Sequence, residues 1–100
     1  MALIVQKFGG SSLADADAIQ SVAKRIAGAQ DEGNQIVVVV SAMGDTTDDL
    51  ISLAHQVTER PDPRELDVLL STGELVSCTL MAMALRSQGR QAISLSGAQA

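Results

Sequence analysis

The apolar residues of this chain recur with two different spacings, which together predict strands alternating with helices. Two short runs, residues 2–8 and Ile36–Val40, contain almost no polar interruption. Such runs are typical of strands that are buried on both faces. A third run, Gln91–Ser96, predicts another strand that ends at Gly97.

Between the predicted strands, apolar residues recur every three or four positions, as they do on one face of a helix. The boundaries of these helices are predicted as Ser12 or Asp15 to the loop Asp31–Asn34, Thr46 or Thr47 to Arg60-Pro61, and Asp62-Pro63 to about Gln88. The polar stretch Ser71–Glu74 lies inside the last helix and predicts a kink or a break there.

The order of elements predicts an α/β fold in which helices cover a mainly parallel sheet, giving three layers, αβα. In such a sheet, ligands bind beyond the C-terminal ends of the strands. Three polar loops with glycine are therefore expected at one edge: Lys7–Ser12, Ser41–Thr47 and Ser96-Gly97. An α/β domain of any function also places glycine, serine and aspartate in its loops, so a purely structural interpretation stays open.

The first of these loops, Lys7–Ser12, has the residues that a phosphate group needs. A strand ends at Lys7, and Gly9-Gly10 allows a tight turn before Ser11-Ser12. Such a turn can direct backbone N–H groups, a hydroxyl and an ammonium toward one anion. The string matches neither common phosphate-loop pattern, and a simple strand-to-helix turn with a solvated lysine is the alternative.

The second loop offers candidate contacts for a small substrate. Asp45 either caps the following helix or contacts a substrate, while Thr46 and Thr47 could cap that helix and hold a carboxylate. Asp48 and Asp49 are explained as acids in a first helical turn.

Two further residues stand out on the last predicted helix. Glu74 interrupts an apolar face and is either a solvated residue at a kink or a carboxylate that pairs with an ammonium group. Cys78 lies in an apolar run and is predicted to be a small buried residue. His55 has no His or Cys neighbour at the spacing of a metal site, so no metal ligands are predicted.

Composition narrows the class of protein. The chain has 100 residues, 46% of them apolar and 19% charged, which suits one soluble globular domain. A net charge of −5 and a single aromatic residue, Phe8, argue against nucleic acid as the main partner. One cysteine permits no internal disulfide, and the N-terminal apolar run is too short for a signal peptide or a membrane span. A cytoplasmic protein is therefore expected.

Four blocks of the sequence together resemble the aspartate kinases, within the amino acid kinase superfamily. Val5–Ser12 resembles their N-terminal signature, Val40–Asp48 their second block and Leu69–Glu74 their third. Ser94–Ala100 is similar to the block S-x-x-G-x-Q-A-G, cut off before its last glycine. The blocks follow the family order, and the resemblance covers essentially the whole chain.

The resemblance implies ATP-dependent phosphorylation of the side-chain carboxylate of L-aspartate, with Mg²⁺ accompanying the nucleotide. This reaction is the first step toward lysine, threonine and methionine. Lys7 would be catalytic, contacting the ATP phosphates and stabilising the transferring group. The other nucleotide contacts implied are Phe8, Gly9, Gly10, Ser11 and Ser41. The aspartate contacts implied are Asp45, Thr46, Thr47, Asp48, Asp49 and Glu74, with Glu74 facing the amino group.

Length is the departure from this family. Aspartate kinases have a catalytic domain more than twice this size, whose second half binds adenine and supplies a catalytic aspartate, followed by regulatory ACT domains. Residues 1–100 are therefore expected to form the N-terminal portion of a larger enzyme, inactive alone and oligomeric through parts not present here. The alternatives are another amino acid kinase, acting on glutamate, N-acetylglutamate, carbamate or UMP, and a non-catalytic anion-binding or assembly module.

Overall fold

Two parallel strands and three helices form the fold in a computed structural model, which describes residues 2–97 and residue 99. The elements are β1 (Leu3–Gly10), a single 3₁₀ turn (Ser11–Leu13), α1 (Ala16–Asp31), β2 (Gln35–Met43), α2 (Thr46–Val57) and α3 (Pro63–Ser87). The strands pair in parallel with α1 as the crossover, which confirms the predicted α/β class.

The register of the strand pair brings their C-terminal ends together. Partners run from Leu3 and Gln35 to Phe8 and Val40, and an irregularity then pairs Gly10 with Met43. The extra residue of β2 at this irregularity marks a bulge, a feature that increases strand twist at sheet ends.

The hydrophobic core lies on one face of the sheet. Phe8 packs there with residues of α1 and α3, and Leu13 of the 3₁₀ turn has no exposed surface. The remaining buried members of the cluster are Ile19, Val22, Ala23, Ile26, Met81, Ala84 and Leu85.

The opposite face of the sheet is open in the described residues. Leu3 and Val5 are 65% and 64% exposed, and Val37 and Val39 are 46% and 45% exposed. The expectation that both strands are buried on both sides is therefore wrong for this chain, because the core is built on the face opposite these side chains. Lys7 shares the open face, since alternate residues of a strand point the same way.

Two of the helices, α1 and α3, have an aspartate side chain that caps their N-terminal end. The Asp15 carboxylate accepts a 2.8 Å hydrogen bond from the Ala18 N–H, so Asp15 rather than Ser12 caps α1. The Asp62 carboxylate accepts a 3.0 Å bond from the Glu65 N–H, with Pro63 as the first residue of α3. Asp15 was one of the two predicted caps of α1, and the start of α3 at Asp62-Pro63 was predicted. Both carboxylates satisfy N–H groups that a first helical turn leaves unpaired.

Helix α3 runs without a break, so of the predicted kink or break at Ser71–Glu74 the break is wrong. The hydroxyls of Ser71 and Thr72 each donate a 2.6 Å bond to a carbonyl three residues earlier in the helix. Gly73 is buried, so its missing side chain serves helix packing rather than helix ending.

The length and composition of α3 alone would let it cross a membrane, because it has 25 residues and contains an 18-residue window with a mean hydropathy of 1.7. A helix in the core of a soluble domain meets the same criterion. In this structure α3 buries Met81, Ala84 and Leu85 in the shared core.

Residues 91–96 do not form the predicted third strand. The Ala92 carbonyl accepts a 2.9 Å bond from Arg86 Nε, and the Leu95 carbonyl lies 3.8 Å from Cys78 Sγ. These carbonyls face side chains of α3 rather than a neighbouring strand, and a cavity of about 850 Å³ separates this segment from Ile36, Val38 and Val40.

Two other expectations about this region also change. Ser96-Gly97 follows no strand and so does not join the sheet edge as predicted, and Cys78 is partly rather than fully buried. Ala98 and Ala100, the end of the fourth sequence block, lie outside the described residues.

Candidate functional site

The C-terminal ends of β1 and β2 bring the first two polar loops together. Lys7 is exposed and is paired with Val39, two residues before Ser41. Gly9 and Ser41 continue the same face of their strands. An ammonium, a glycine and a hydroxyl therefore occupy one face at the strand ends.

Gly9 permits this close approach because it has no side chain. A Cβ atom on Gly9 would overlap Ser41 Oγ and lie 3.2 Å from Ser41 Cβ. The Ser41 hydroxyl is therefore held against the backbone of the first loop, in accordance with the prediction that both loops lie at one edge of the sheet.

Gly10 reverses the chain just after this contact. Its φ of 56° and ψ of −125° define a backbone conformation that residues other than glycine rarely adopt. The space around its Cα is open, because a Cβ atom on Gly10 would have no neighbour within 4 Å among the described residues. Ser11 follows as an exposed residue. The turn thus leaves room for a ligand beside its backbone.

Phe8 contributes to the core with its side chain. The ring is 8% exposed, and the Arg25 guanidinium carbon lies 5.5 Å from its centroid. This cation–π contact ties β1 to α1. A nucleotide contact by Phe8, as the resemblance implies, would therefore use its backbone.

The second loop turns at Gly44 and enters α2 through Asp45. Gly44 has a φ of 43°, and a Cβ there would lie 3.4 Å from the Ala14 carbonyl oxygen, so this loop contacts the turn after β1. Asp45 occupies the N-cap position, and its carbonyl accepts a 3.0 Å bond from the Asp49 N–H. Its carboxylate makes no capping hydrogen bond within the described residues, which leaves it available to a ligand.

Thr46 and Thr47 are the first residues of α2, so the expectation that one of them caps the helix is wrong. Thr47, Asp48 and Asp49 are exposed, and Thr46 is partly buried. The three exposed side chains that the sequence offered for substrate contact therefore border solvent at the N-terminal end of α2.

Helix α3 packs against the second loop at Gly73. A Cβ on Gly73 would lie 3.1 Å from Ala42 Cβ and 3.2 Å from Thr46 Cγ2. The third sequence block thus contacts the second, and Glu74, the next residue, is exposed beside it.

Ser77 is a buried residue of this region that sequence reasoning missed. It is 0% exposed, and its hydroxyl donates a 2.6 Å hydrogen bond to the Ser41 carbonyl. The carbonyls of Gly73 and Glu74, at 3.4 and 3.1 Å, are also within reach of that hydroxyl. The sequence signal that could have identified Ser77 was a small hydroxyl-bearing residue inside an apolar run, one helical turn after Gly73.

Away from the site, Asp31 and Arg90 form an ion pair of 2.7 Å at the far end of α1. The hydrogen bond from the Arg90 guanidinium holds the pKa of Asp31 below its ordinary value and raises the pKa of Arg90. Over residues 2–97 and 99, no group of three or more His, Cys, Asp or Glu side chains could hold a metal ion.

This arrangement defines the class of protein: a parallel α/β domain whose polar loops meet at the C-terminal ends of its strands. The particular family follows from comparison with known proteins, because the model of the amino acid kinase family matches residues 2–100. The chain belongs to the amino acid kinase family.

Within this family, the chain is similar to curated aspartokinases, as the four sequence blocks predicted. An aspartokinase of Mycobacterium tuberculosis is 60% identical over 100 residues, which are 100% of this chain and 24% of the relative. One of Geobacillus stearothermophilus is 54% identical over 100 residues, which are 25% of its length. The chain thus spans about a quarter of the length of these relatives.

A solved structure shows the same fold. The crystal structure of aspartate kinase from Synechocystis matches with a TM-score of 0.94 and 55% identity, covering 97% of this chain and 17% of that one. This match confirms the αβα fold of an amino acid kinase for this portion.

Proposed function

We propose that this chain supplies the phosphate-binding and aspartate-binding part of an aspartate kinase. The proposed reaction transfers the terminal phosphoryl group of ATP to the side-chain carboxylate of L-aspartate, giving 4-phospho-L-aspartate. The observation that carries the proposal is the meeting of the first two loops with helix α3, through Gly9 against Ser41 and Gly73 against Thr46. The 54–60% identity to aspartokinases over the whole chain supports the choice of substrate.

Lys7 is the proposed catalytic residue on the phosphate side. Phosphoryl transfer needs little covalent chemistry from the protein, so positioning and electrostatic stabilisation carry the catalysis. The Lys7 ammonium offers a positive charge, and the backbone of Phe8, Gly9 and Gly10 offers a turn with open space beside it. ATP with Mg²⁺ supplies the phosphoryl group and part of the counter-charge when bound.

Hydroxyls complete the proposed phosphate cradle. Ser11 is exposed just after the turn, and Ser41 lies against Gly9. Both are donors that suit phosphate oxygens. These residues fit an anionic nucleotide. In the described residues no group of three or more His, Cys, Asp or Glu side chains could hold a metal ion, which fits a cation that arrives with the nucleotide.

The N-terminal end of α2 is the proposed aspartate site. Unpaired N–H groups and the Thr47 hydroxyl suit a substrate carboxylate, with Thr46 beside them. Asp45, Asp48 and Asp49 make the same end acidic and favour a substrate that also carries an ammonium group. Glu74 is proposed to face that amino group. A zwitterionic amino acid satisfies both demands, whereas a simple dicarboxylate meets repulsion.

The remaining parts of the enzyme are proposed to lie outside residues 1–100. These parts would bind adenine, supply a further catalytic aspartate, form the oligomer and carry allosteric ACT domains. The relatives' length, about four times that of this chain, supports this. The same proposal assigns the enzyme to the cytoplasm and to the first step of lysine, threonine and methionine biosynthesis.

A hydroxamate-trap assay on the protein with its reading frame extended to its natural end tests the function. Mg·ATP is supplied with L-aspartate, L-glutamate and N-acetylglutamate in parallel. We expect acyl phosphate from aspartate only. Lys7→Ala should lower kcat by roughly a hundredfold or more, because it removes a group that stabilises transition-state charge. Lys24→Ala removes an exposed lysine of α1 and is the matched control, expected to retain activity.

Two outcomes would overturn the proposal. Acyl phosphate from another substrate but not from aspartate would assign a different amino acid kinase. Binding of ATP and aspartate without turnover in the extended protein would favour a non-catalytic anion-binding module. The 100-residue chain alone is expected to release no ADP, and aspartate-dependent ADP release from it would contradict the assignment of missing catalytic parts.

A further inference from the structure

We infer that Gly73 and Ser77 of α3 are positioning residues that set the nucleotide side and the aspartate side of the site separately. This inference rests on the proposed function. It comes from two contacts that α3 makes with the second loop, Ser41–Thr47, through two residues of α3 that the resemblance does not place against a ligand.

Ser77 fixes the backbone of Ser41. Ser77 has no exposed surface, and its hydroxyl donates a 2.6 Å hydrogen bond to the Ser41 carbonyl. Within the described residues, its other hydrogen-bond acceptors, the carbonyls of Gly73 and Glu74, belong to α3 itself. Ser41 in turn lies against Gly9. A buried hydroxyl thus connects α3 to the phosphate turn through a single intervening residue.

Gly73 fixes the other side of the same loop. It lies one helical turn before Ser77 and therefore on the same face of α3. The space for a Cβ is limited by Ala42 Cβ at 3.1 Å and Thr46 Cγ2 at 3.2 Å. Any side chain at this position would push the start of α2, and so the proposed aspartate contacts, away from α3.

The two contacts act on different parts of the loop. Ser77 holds its beginning at Ser41, beside the proposed phosphate site, and Gly73 limits its end at Thr46, beside the proposed aspartate site. Because α3 is one continuous helix, it sets the spacing between the two ligands. Transfer between two bound groups depends steeply on that spacing.

Steady-state kinetics of the extended protein separate the two roles. Ser77→Ala should raise KM for ATP about fivefold, the effect of losing one neutral hydrogen bond, and leave KM for aspartate within about twofold. Gly73→Ala should raise KM for aspartate about fivefold and leave KM for ATP within about twofold. Of the two atoms that the new Cβ would crowd, Thr46 Cγ2 belongs to the proposed aspartate site, and Ala42 Cβ belongs to neither ligand site.

Matched variants make the same chemical changes away from the site. Ser87→Ala removes a hydroxyl of α3 that donates only to its own helix, at Ala84, within the described residues. Gly28→Ala adds a methyl to a helical glycine of α1 that has no described neighbour within 4 Å of the new atom. Both should leave both KM values at the wild-type level.

Rescue distinguishes positioning from general damage. Thr46→Ser removes the methyl that a Cβ at position 73 would meet and keeps the hydroxyl, so Gly73→Ala with Thr46→Ser should recover at least half of the lost aspartate affinity. Ser77→Cys keeps a weaker donor of similar shape and should fall between wild type and Ser77→Ala. Thermal melts of every variant record its folded fraction.

Equal changes in both KM values, no change in either, or no recovery by Thr46→Ser would overturn the inference. If the wild-type protein forms no acyl phosphate from aspartate, the proposed function fails, and Mg·ATP titration decides the inference instead. Weaker ATP binding by Ser77→Ala than by Ser87→Ala would then support it for the nucleotide side, and equal or absent binding would overturn it.

Discussion

The contact between Gly9 and Ser41 makes a sharp prediction for Gly9→Ala. Gly9 is not one of the glycines with a positive φ, so alanine can adopt the backbone conformation of this position without strain. The obstacle is steric, because the new Cβ overlaps Ser41 Oγ and lies 3.2 Å from Ser41 Cβ. The Oγ atom can rotate away, but Ser41 Cβ cannot.

The main chain of Ser41 also resists movement, since its carbonyl accepts the 2.6 Å bond from buried Ser77. Overpacking of this kind typically costs about 1 to 3 kcal/mol, and we expect about 2 kcal/mol less free energy of unfolding. A chain of this size has a total of roughly 5 to 15 kcal/mol, so the loss is large. The urea midpoint should fall by about 1 to 2 M.

Urea unfolding followed by far-ultraviolet circular dichroism measures this loss, because the chain has no Trp or Tyr for fluorescence. A double-mutant cycle with Ser41→Gly removes both overlapping atoms and should show a coupling energy of about 1 to 3 kcal/mol. Gly10→Ala is the contrast, since its cost comes from a φ of 56° in open space. Ser41→Gly should not rescue Gly10→Ala.

Two results would refute this reasoning. Gly9→Ala with wild-type stability would show that the two loops do not approach as closely as the structure has them. An equal cost of Gly9→Ala with and without the Ser41 side chain would show that the loss does not arise from this contact.

Two further predictions concern the core and the ion pair. Leu13→Ala should lower the free energy of unfolding by about 3 kcal/mol, since it leaves a cavity at a fully buried side chain. Leu53→Ala, at a half-exposed side chain, is the control and should cost less than about 1 kcal/mol. Similar costs of the two variants in urea unfolding would contradict the assignment of Leu13 to the core. Arg90→Gln should raise the pKa of Asp31 toward 3.8, followed by NMR titration of its carboxyl carbon. Because folding lowers the pKa of Asp31, the pair contributes stability above pH 3.8 and loses it as the pH falls below the folded pKa, and the variant should lack this dependence; an unchanged Asp31 titration would show that the pair does not form.

Local sequence rules predicted those parts of the fold that local physics determines. Apolar runs placed β1 and β2. Asp15, as one of two candidates, and Asp62-Pro63 were predicted as helix starts, and the structure shows both carboxylates accepting from N–H groups of the first turn. The parallel sheet then followed from the alternation of strands and helices, and with it the meeting of Lys7 and Ser41 at one edge.

The features that sequence could not supply depend on distant partners. The run Gln91–Ser96 has the composition of a strand, yet the carbonyls of Ala92 and Leu95 accept hydrogen bonds from side chains of α3. Gly73 suggested a helix break by its intrinsic preference, but tertiary packing against β2 and α2 overrides that preference. Ser77 acquires its role from a carbonyl 36 positions earlier, a relation that no local pattern records.

Helix α2, whose residues are all described, has no buried side chain and no side-chain cap. Segments with so little burial open at the lowest free-energy cost, far below that of global unfolding. Amide hydrogens of α2 should accordingly exchange with solvent faster than those of α3 around Met81. A ligand that orders this helix would spend part of its intrinsic affinity on doing so, and the resulting moderate affinity would keep the site responsive to changes in the concentration of a metabolite.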